Sequence, residues 1–288
     1  NIKSLKTHFF SELQTIQEDS EIESFFFILT EFLHNLKRID VSLHPEFEVS
    51  ETDLEKWKTI ISELKTEKPI QYITGEAGFY GLRFEVNENT LIPRPETYEL
   101  CKEIIKEYNR PYCGLQPPEP INVLDIGIGS GCIAITLALD LWNSNVTAWD
   151  ISSDALVIAR ENAHKLEAKV NLELKDALNI AEENFNMWDI IVSNPPYICE
   201  KEKTDMTENV LRYEPDTALF VPDNEPLKFY RAIAEYGMKS LKHGGMLAFE
   251  INPIYVNETI SMLEELKYKN IRAVDDLFGK QRFTICYK

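Results

Sequence analysis

The chain has 288 residues, enough for about two domains, and its 44% hydrophobic and 27% charged residues suit a folded protein rather than a disordered one. Thirty Lys and Arg against 48 Asp and Glu leave a formal net charge of −18, which disfavours broad binding to polyphosphate or to an anionic membrane surface. No run approaches the roughly 20 apolar residues of a membrane helix, and the first twenty residues hold no apolar stretch of signal-peptide length.

The five cysteines (Cys101, Cys113, Cys132, Cys199 and Cys286) are scattered and never in CxxC spacing, and the five histidines show no ligand spacing. The expectation is a cytoplasmic, monomeric protein with reduced thiols and no metal, and no direct contact with nucleic acid or membrane.

Residues 1–68 are expected to be helical. Ile22, Phe25, Phe26, Leu29, Phe32, Leu33 and Leu36 recur at three- and four-residue steps, and Leu54, Trp57, Ile60, Ile61 and Leu64 repeat the pattern. The first proline is Pro45 and the first glycine Gly75, so little interrupts a small helical bundle. From Phe79 the period shortens. Phe79, Leu82, Phe84 and Val86 alternate with polar residues, and Asn87-Glu88-Asn89 supplies turn chemistry before Thr90-Leu91-Ile92, which together predict a hairpin. Pro93-Arg94-Pro95 makes a rigid corner before a helix over 96–108. The stretch 110–120, with Pro111, Pro117, Pro118 and Pro120, is expected to be a loop.

Strand and helix then alternate. Buried strands are expected at 121–126, 146–149, 170–174, 190–193 and 246–251, and helices near 131–142, 153–167, 226–241 and 254–267. Two closing strands, 271–275 and 282–287, are joined by a short turn through Gly279. The pattern predicts an α/β fold: a mostly parallel, doubly wound Rossmann-like sheet with one antiparallel strand at an edge. The implied division is a helical domain over 1–68, a hairpin-containing linker over 69–95 and a sheet domain over 96–288.

The first of these strands runs into Asp125-Ile126-Gly127-Ile128-Gly129-Ser130-Gly131, where a helix begins. Alternate glycines allow a tight turn and close approach of the backbone to a ligand, so the loop reads as a nucleotide-cofactor site. Alone it fits NAD or S-adenosylmethionine. Asp150 ends the second strand, where a carboxylate can accept both ribose hydroxyls; its competing use is to cap the next helix, a task open to Ser152 or Ser153. Asp176 follows the third strand and is a candidate acceptor for the adenine amine.

Asn194-Pro195-Pro196-Tyr197 decides between the cofactors. Two prolines hold the backbone extended, so the Asn194 side-chain oxygen and the Pro195 carbonyl can grip the two N–H groups of a planar –NH2, with Tyr197 as an aromatic wall. Such acceptors favour the positive charge that develops on an amide or base nitrogen as it takes a methyl group. The expected cofactor is S-adenosyl-L-methionine, leaving S-adenosyl-L-homocysteine.

With these segments in place, the chain resembles the HemK/PrmC protein-glutamine N5-methyltransferases. The likeness runs through Pro69-Ile70-Gln71-Tyr72-Ile73-Thr74-Gly75, Phe79-Tyr80-Gly81-Leu82, Leu91-Ile92-Pro93-Arg94-Pro95-Glu96-Thr97, the glycine loop, Asn194 to Tyr197, Tyr213-Glu214-Pro215, Gly244-Gly245 and the tail from Asp276 to Arg282. The resemblance implies a class I methyltransferase fold acting on the glutamine of the Gly-Gly-Gln motif of peptide chain release factors. It assigns substrate recognition to the helical domain. It places the cofactor on Asp125, Gly127, Ile128, Gly129, Ser130, Gly131, Asp150, Asp176, Ala177 and Asn194, and the glutamine on Asn194, Pro195, Pro196 and Tyr197, with Arg94 and Glu96 nearby.

Three features depart from the family pattern. Ala177 stands where many relatives carry a bulky residue. Glu250-Ile251-Asn252-Pro253-Ile254-Tyr255 lacks the usual glycine and glutamine, and Val221 to Pro226 lacks the usual glycine-rich turn. A ribosomal-protein glutamine methyltransferase is a close alternative. A nucleic-acid amino methyltransferase is a more distant one: residues 200–226 hold eight acids against three bases, and the resulting −5 beside the motif is a poor neighbour for phosphate. A catalytically silent cofactor-binding scaffold would have no use for the intact tetrapeptide.

Overall fold

Helix α1 (Ile2–Leu13) begins where the Asn1 side chain accepts a hydrogen bond from the Ser4 N–H, and α4 (Glu51–Leu64) begins where Ser50 does the same for Asp53. Between them lie α2 (Asp19–His34), stopped by Asn35 at φ 54°, and the short α3 (Arg38–Leu43); α5 (Ile70–Thr74) follows. Their apolar faces meet around Phe9, Phe26 and Trp57, whose ring centroids lie 5.4–5.7 Å apart. Within this core the Trp57 indole N–H donates to His34 Nε2 at 3.0 Å. Phe32, expected on the buried face of α2, is 48% exposed. At 3.6 residues per turn it projects about 80° from Ile22, at the flank of the stripe.

The structure is a computed structural model that describes residues 1–109, 119–180 and 185–288. Residues 110–118 of the expected proline-rich loop lie outside the described residues. The chain forms two compact units: one is Asn1–Glu76 with Glu208–Tyr213, the other Ala77–Thr207 with Glu214–Lys288. The segment Glu208–Tyr213 is secured to the first unit by Tyr213, whose hydroxyl donates to the Thr66 carbonyl at 3.0 Å. No helix among the described residues is long and apolar enough to cross a membrane.

The hairpin is present, but its turn is not the expected one. Strands β1 (Glu76–Phe79) and β2 (Leu82–Glu85) are joined at Tyr80-Gly81, with φ of 55° and 75°. Two successive positive φ values make the primed turn that matches strand twist. Asn87-Glu88-Asn89 instead closes a separate turn, in which the Thr90 N–H donates to the Asn87 carbonyl at 3.0 Å.

After α6 (Thr97–Tyr108) come β3 (Ile121–Ile126), α7 (Cys132–Asp140), β4 (Ser144–Asp150), α8 (Ser153–Lys165), β5 (Val170–Leu174) and β6 (Trp188–Ser193). The two-residue strands β7 (Ile198–Cys199) and β8 (Phe220–Val221) pair with each other, and β9 (Leu241–Glu250), β10 (Lys269–Asp275) and β11 (Gln281–Tyr287) complete the chain. The main sheet has the order β10-β11-β9-β6-β3-β4-β5. Alternate residues of each strand face opposite sides. Val123, Val146, Ile190, Val192 and Ala248 join α6, α7 and α8 on one side, while Leu124, Trp149, Ile191, Leu247 and Phe249 pack with Tyr230, Ile233 and Met262 on the other.

The expected antiparallel strand exists, one place in from the edge. β11 runs antiparallel to both β10 and β9, so the tight return puts β10 outermost and β11 inside. From β3 the chain builds β4 and β5 on one side and then returns to place β6 on the other. That reversal opens a crevice at the carboxyl ends of β3, β4 and β6.

Candidate active site

A cavity of about 390 Å³ fills this crevice. Its floor is the turn from β3 to α7, where Gly127, Gly129 and Gly131 stand at φ of 83°, 52° and 90°. At Gly131 a side chain would also collide: a Cβ there would lie 2.8 Å from Ile135 Cδ1. The turn is held by its own hydrogen bonds. The Gly127 and Ile128 N–H groups both donate to the Trp149 carbonyl, at 2.8 and 3.0 Å, and the Gly129 N–H donates to Asp150 Oδ2 at 3.0 Å. With these donors engaged inside the protein, the turn is a poor cradle for the pyrophosphate of a dinucleotide and a better seat for an uncharged portion of a ligand.

Asp150 lines the cavity from the end of β4. Its Oδ1 accepts the Ser152 N–H at 2.9 Å, so each carboxylate oxygen takes one backbone donor and keeps lone-pair capacity for another. The competing use as helix cap falls to Ser152, whose Oγ accepts the Ala155 N–H at 3.1 Å. Asp176, Ala177 and Leu178 line the next stretch of wall, with Asp176 Oδ1 accepting the Leu178 N–H at 2.8 Å. Lys175 also faces the cavity; its ammonium lies 4.5 Å from the Trp149 ring centroid and 2.6 Å from Glu173 Oε2. Neither Lys175 nor Phe229 and Ile233, which line the cavity from the helix Lys228–Ser240, was marked by any motif.

The opposite wall follows β6. Ser193 is fully buried and its hydroxyl donates to the Ile126 carbonyl at 2.5 Å, which ties the end of β6 to the end of β3. Asn194, Pro195 and Pro196 then line the cavity, and a Cβ placed on Gly127 would lie 3.9 Å from the Asn194 carbonyl oxygen. The two sequence motifs therefore face each other.

Tyr197 is not among the cavity residues. Its hydroxyl donates to Glu250 Oε1 at 3.1 Å, so the aromatic wall expected from the motif is turned toward the protein. Burial, reinforced by the neighbouring carboxylate, raises the Tyr197 hydroxyl far above its ordinary value. Glu250 is 1% exposed, also accepts the Thr97 hydroxyl at 2.6 Å, and is raised by burial.

Arg94 lines the cavity and pairs with Glu214 at 2.6 Å; Glu214 also accepts the Ile92 N–H at 3.3 Å. Glu96 does not line it. It stands at the cap position of α6, and Thr97, one residue on, is the cavity residue. Asp125 and Gly131 do not line the cavity. Asp125 is fully buried, accepts the Ala134 N–H at 3.1 Å and has its carboxyl pushed well above the ordinary range by burial. Its place is to join β3 to the first turn of α7.

A methyltransferase small domain is matched at residues 114–217 and a PrmC N-terminal domain at residues 5–75. The fold, with its crevice at the switch point, is therefore that of a methyltransferase. A crystal structure of a methyltransferase from Pyrococcus furiosus shares this fold at a TM-score of 0.50 and 19% identity, covering 73% of this chain and 90% of that one.

Full-length relatives narrow the class. The chain is 46% identical to the release factor glutamine methyltransferase of Flavobacterium psychrophilum, over 98% of this chain and 97% of the relative. It is 43% identical to that of Bacteroides thetaiotaomicron, over 94% of each. The chain belongs to the release factor glutamine methyltransferase family.

Proposed function

We propose that this chain transfers the methyl group of S-adenosylmethionine to the side-chain amide nitrogen of the glutamine in the Gly-Gly-Gln motif of peptide chain release factors. The observation that carries the reading is that the glycine turn and Asn194-Pro195-Pro196 line the same cavity from opposite sides. The names of the full-length relatives supply the substrate.

The lining suits the cofactor: a carboxylate with spare acceptor capacity at Asp150, an apolar stretch through Ile151, Ala177 and Leu178, and a floor free of side chains at Gly127 and Gly129. Asp150 would hold the ribose, and Asp176 to Leu178 the adenine. When bound, S-adenosylmethionine supplies a methyl group carried on positively charged sulfur. The chain's own part is to hold the target. Asn194 and the Pro195 carbonyl accept the two amide N–H groups, fix the nitrogen in line for attack and favour the positive charge that grows on it. As the N–C bond forms, the S–C bond would break to leave S-adenosylhomocysteine as a neutral thioether, and the positively charged nitrogen would then release one proton to solvent.

The helical first unit is proposed to recognise the protein substrate, because a glutamine side chain offers few contacts of its own. Ile28, Phe32, Ile39 and Leu43 are exposed on α2 and α3 and are available for this. Replacing Phe32 and Leu43 together by serine should raise the KM for the protein about tenfold, with cofactor affinity unchanged. An unchanged KM removes these residues from recognition.

The reading as a whole is tested by radiolabelled methyl transfer to purified release factor, a ribosomal-protein mixture and DNA in parallel. Label on the release-factor glutamine is the expected result; label only on ribosomal protein or on DNA overturns it.

A further inference from the structure

Tyr197 closes the motif but stands outside the cavity, and it is held at two points. Its hydroxyl donates to Glu250 Oε1 at 3.1 Å. Its carbonyl accepts the Asn252 side-chain N–H at 3.1 Å. Glu250 ends β9, which pairs with β6 along Ser193↔Phe249, and Asn252 lies two residues beyond it, at the start of the turn that follows.

Each partner is itself fixed. Glu250 takes the Thr97 hydroxyl on its other oxygen at 2.6 Å. Asn252, 4% exposed, places the same Nδ2 at 3.1 Å from both Glu202 oxygens, while its Oδ1 accepts the Ile254 N–H at 3.0 Å. The Tyr230 hydroxyl joins the two, donating to the Glu250 carbonyl at 3.2 Å and accepting the Asn252 N–H at 3.3 Å.

Between Tyr197 and Asn194 lie two prolines, each with φ locked and each restricting the residue before it. A rigid link carries position along its length, so fixing Tyr197 fixes the acceptors at Asn194 and Pro195. A fully buried carboxylate is weak evidence of stabilisation, and Glu250 makes better sense as a device for placement. We infer that Glu250 and Asn252 are positioning residues, which set the methyl-acceptor wall by gripping Tyr197 at its hydroxyl and its carbonyl. The inference rests on the proposed function and adds to it two residues outside the cavity.

The test compares wild type with Asn252→Ser, Glu250→Ala, Glu250→Gln and Tyr197→Phe in steady-state methyl transfer to release factor. Cofactor affinity by calorimetry and thermal unfolding accompany each variant. Serine still caps the turn at Ile254 but is too short to reach the Tyr197 carbonyl, which separates the grip from the cap. Asn252→Ser and Glu250→Ala should lower kcat on the order of 10- to 100-fold, with KM and cofactor Kd within about threefold, because displacement of the acceptors affects the reacting geometry alone.

Glutamine keeps an acceptor for the tyrosine hydroxyl, so Glu250→Gln should recover kcat to within about fivefold of wild type. Tyr197→Phe should match Glu250→Ala, and the pair combined should lose little more than either alone. If Glu250→Ala does not fold, Asn252→Ser and Tyr197→Phe carry the test. Wild-type kcat in the soluble variants, a loss confined to KM or Kd, or Glu250→Gln no better than Glu250→Ala overturns the inference. A wild-type chain that binds the cofactor and methylates no protein overturns the proposed function instead, and this inference with it.

Discussion

The two walls of the cavity are built in opposite ways. The glycine wall takes its shape from the backbone: its turn is set by three positive-φ glycines and by bonds from the Gly127, Ile128 and Gly129 N–H groups to the Trp149 carbonyl and the Asp150 carboxylate of the adjoining strand. The Asn194 wall depends on partners far along the chain, with Tyr197 held by Glu250 and Asn252 some 53 and 55 residues away. The first wall is mostly backbone, with few side chains to lose, whereas the second hangs on a side-chain network whose members depend on one another. The first wall is thus expected to govern affinity for the cofactor, and the second the rate of transfer.

The largest effect should come from the second wall. Asn194→Ala should lower the single-turnover rate on the order of 10²-fold or more while leaving cofactor Kd within a few-fold, as for loss of a transition-state acceptor. A rate near wild type would erase the division between the walls.

Next is Asp150→Ala, which should weaken cofactor binding by about 1–3 kcal/mol by calorimetry, the scale for unpairing bonds to a charged group. At saturating cofactor its kcat should stay close to wild type. A collapse of kcat there would mean that both walls serve the chemistry.

A third measurement sharpens the contrast through pH. Burial raises the Glu250 carboxyl above its ordinary 4.5. A raised folded value gives stability that is complete below 4.5 and is lost as pH rises through the raised value. Glu250→Gln does not titrate, so its urea midpoint should gain on wild type as pH climbs above 4.5. A pH-independent difference would mean that Glu250 keeps an ordinary value.

The smallest effect lies in the helical unit and has the opposite sign. His34 accepts the Trp57 N–H, and burial, opposed by nearby Asp53 and assisted by Lys56, lowers it from 6.5. Stability from the neutral ring is full above 6.5 and is lost as pH falls through the depressed value. Trp57 is one of four tryptophans, so the transition is best followed by its indole N–H resonance on acidification. A resonance unchanged down to the pH of global unfolding would rule this out.

Period and punctuation made most of the sheet legible. Runs such as Ile121–Ile126 and Val170–Leu174 end where expected, the first as a largely apolar central strand; the second alternates apolar and polar residues and, at the edge of the sheet, is not the buried strand expected. The hairpin turn was harder: Asn87-Glu88-Asn89 carries stronger turn chemistry than Tyr80-Gly81, yet the strands pair across the latter. The place of β11 inside the sheet depends on pairing with β9, a long-range contact that local pattern does not encode.

The site divides in the same way. Gly127, Gly129, Asp150 and Asn194 to Pro196 were visible because their chemistry is local to a strand end. The inward turn of the Tyr197 hydroxyl was not visible, since Glu250 reaches it only through the pairing of β6 with β9. Glu250 did carry one signal: an acid closing a buried strand.

The segment Glu208–Tyr213 has a consequence for biosynthesis. It completes the helical unit through bonds between Tyr213 and Thr66, across 147 residues of chain. A ribosome making this protein releases residues 1–76 well before residues 208–213, so that unit stays unfinished until the strands through β7 have been synthesised. The final closure is then slow for a helical fold, because a long loop must be closed before its contacts form. For the same reason a nascent chain stalled before residue 208 carries the helices of the first unit without Tyr213 docked on Thr66, and a protease that opens the chain after residue 76 yields a fragment lacking part of its own structure.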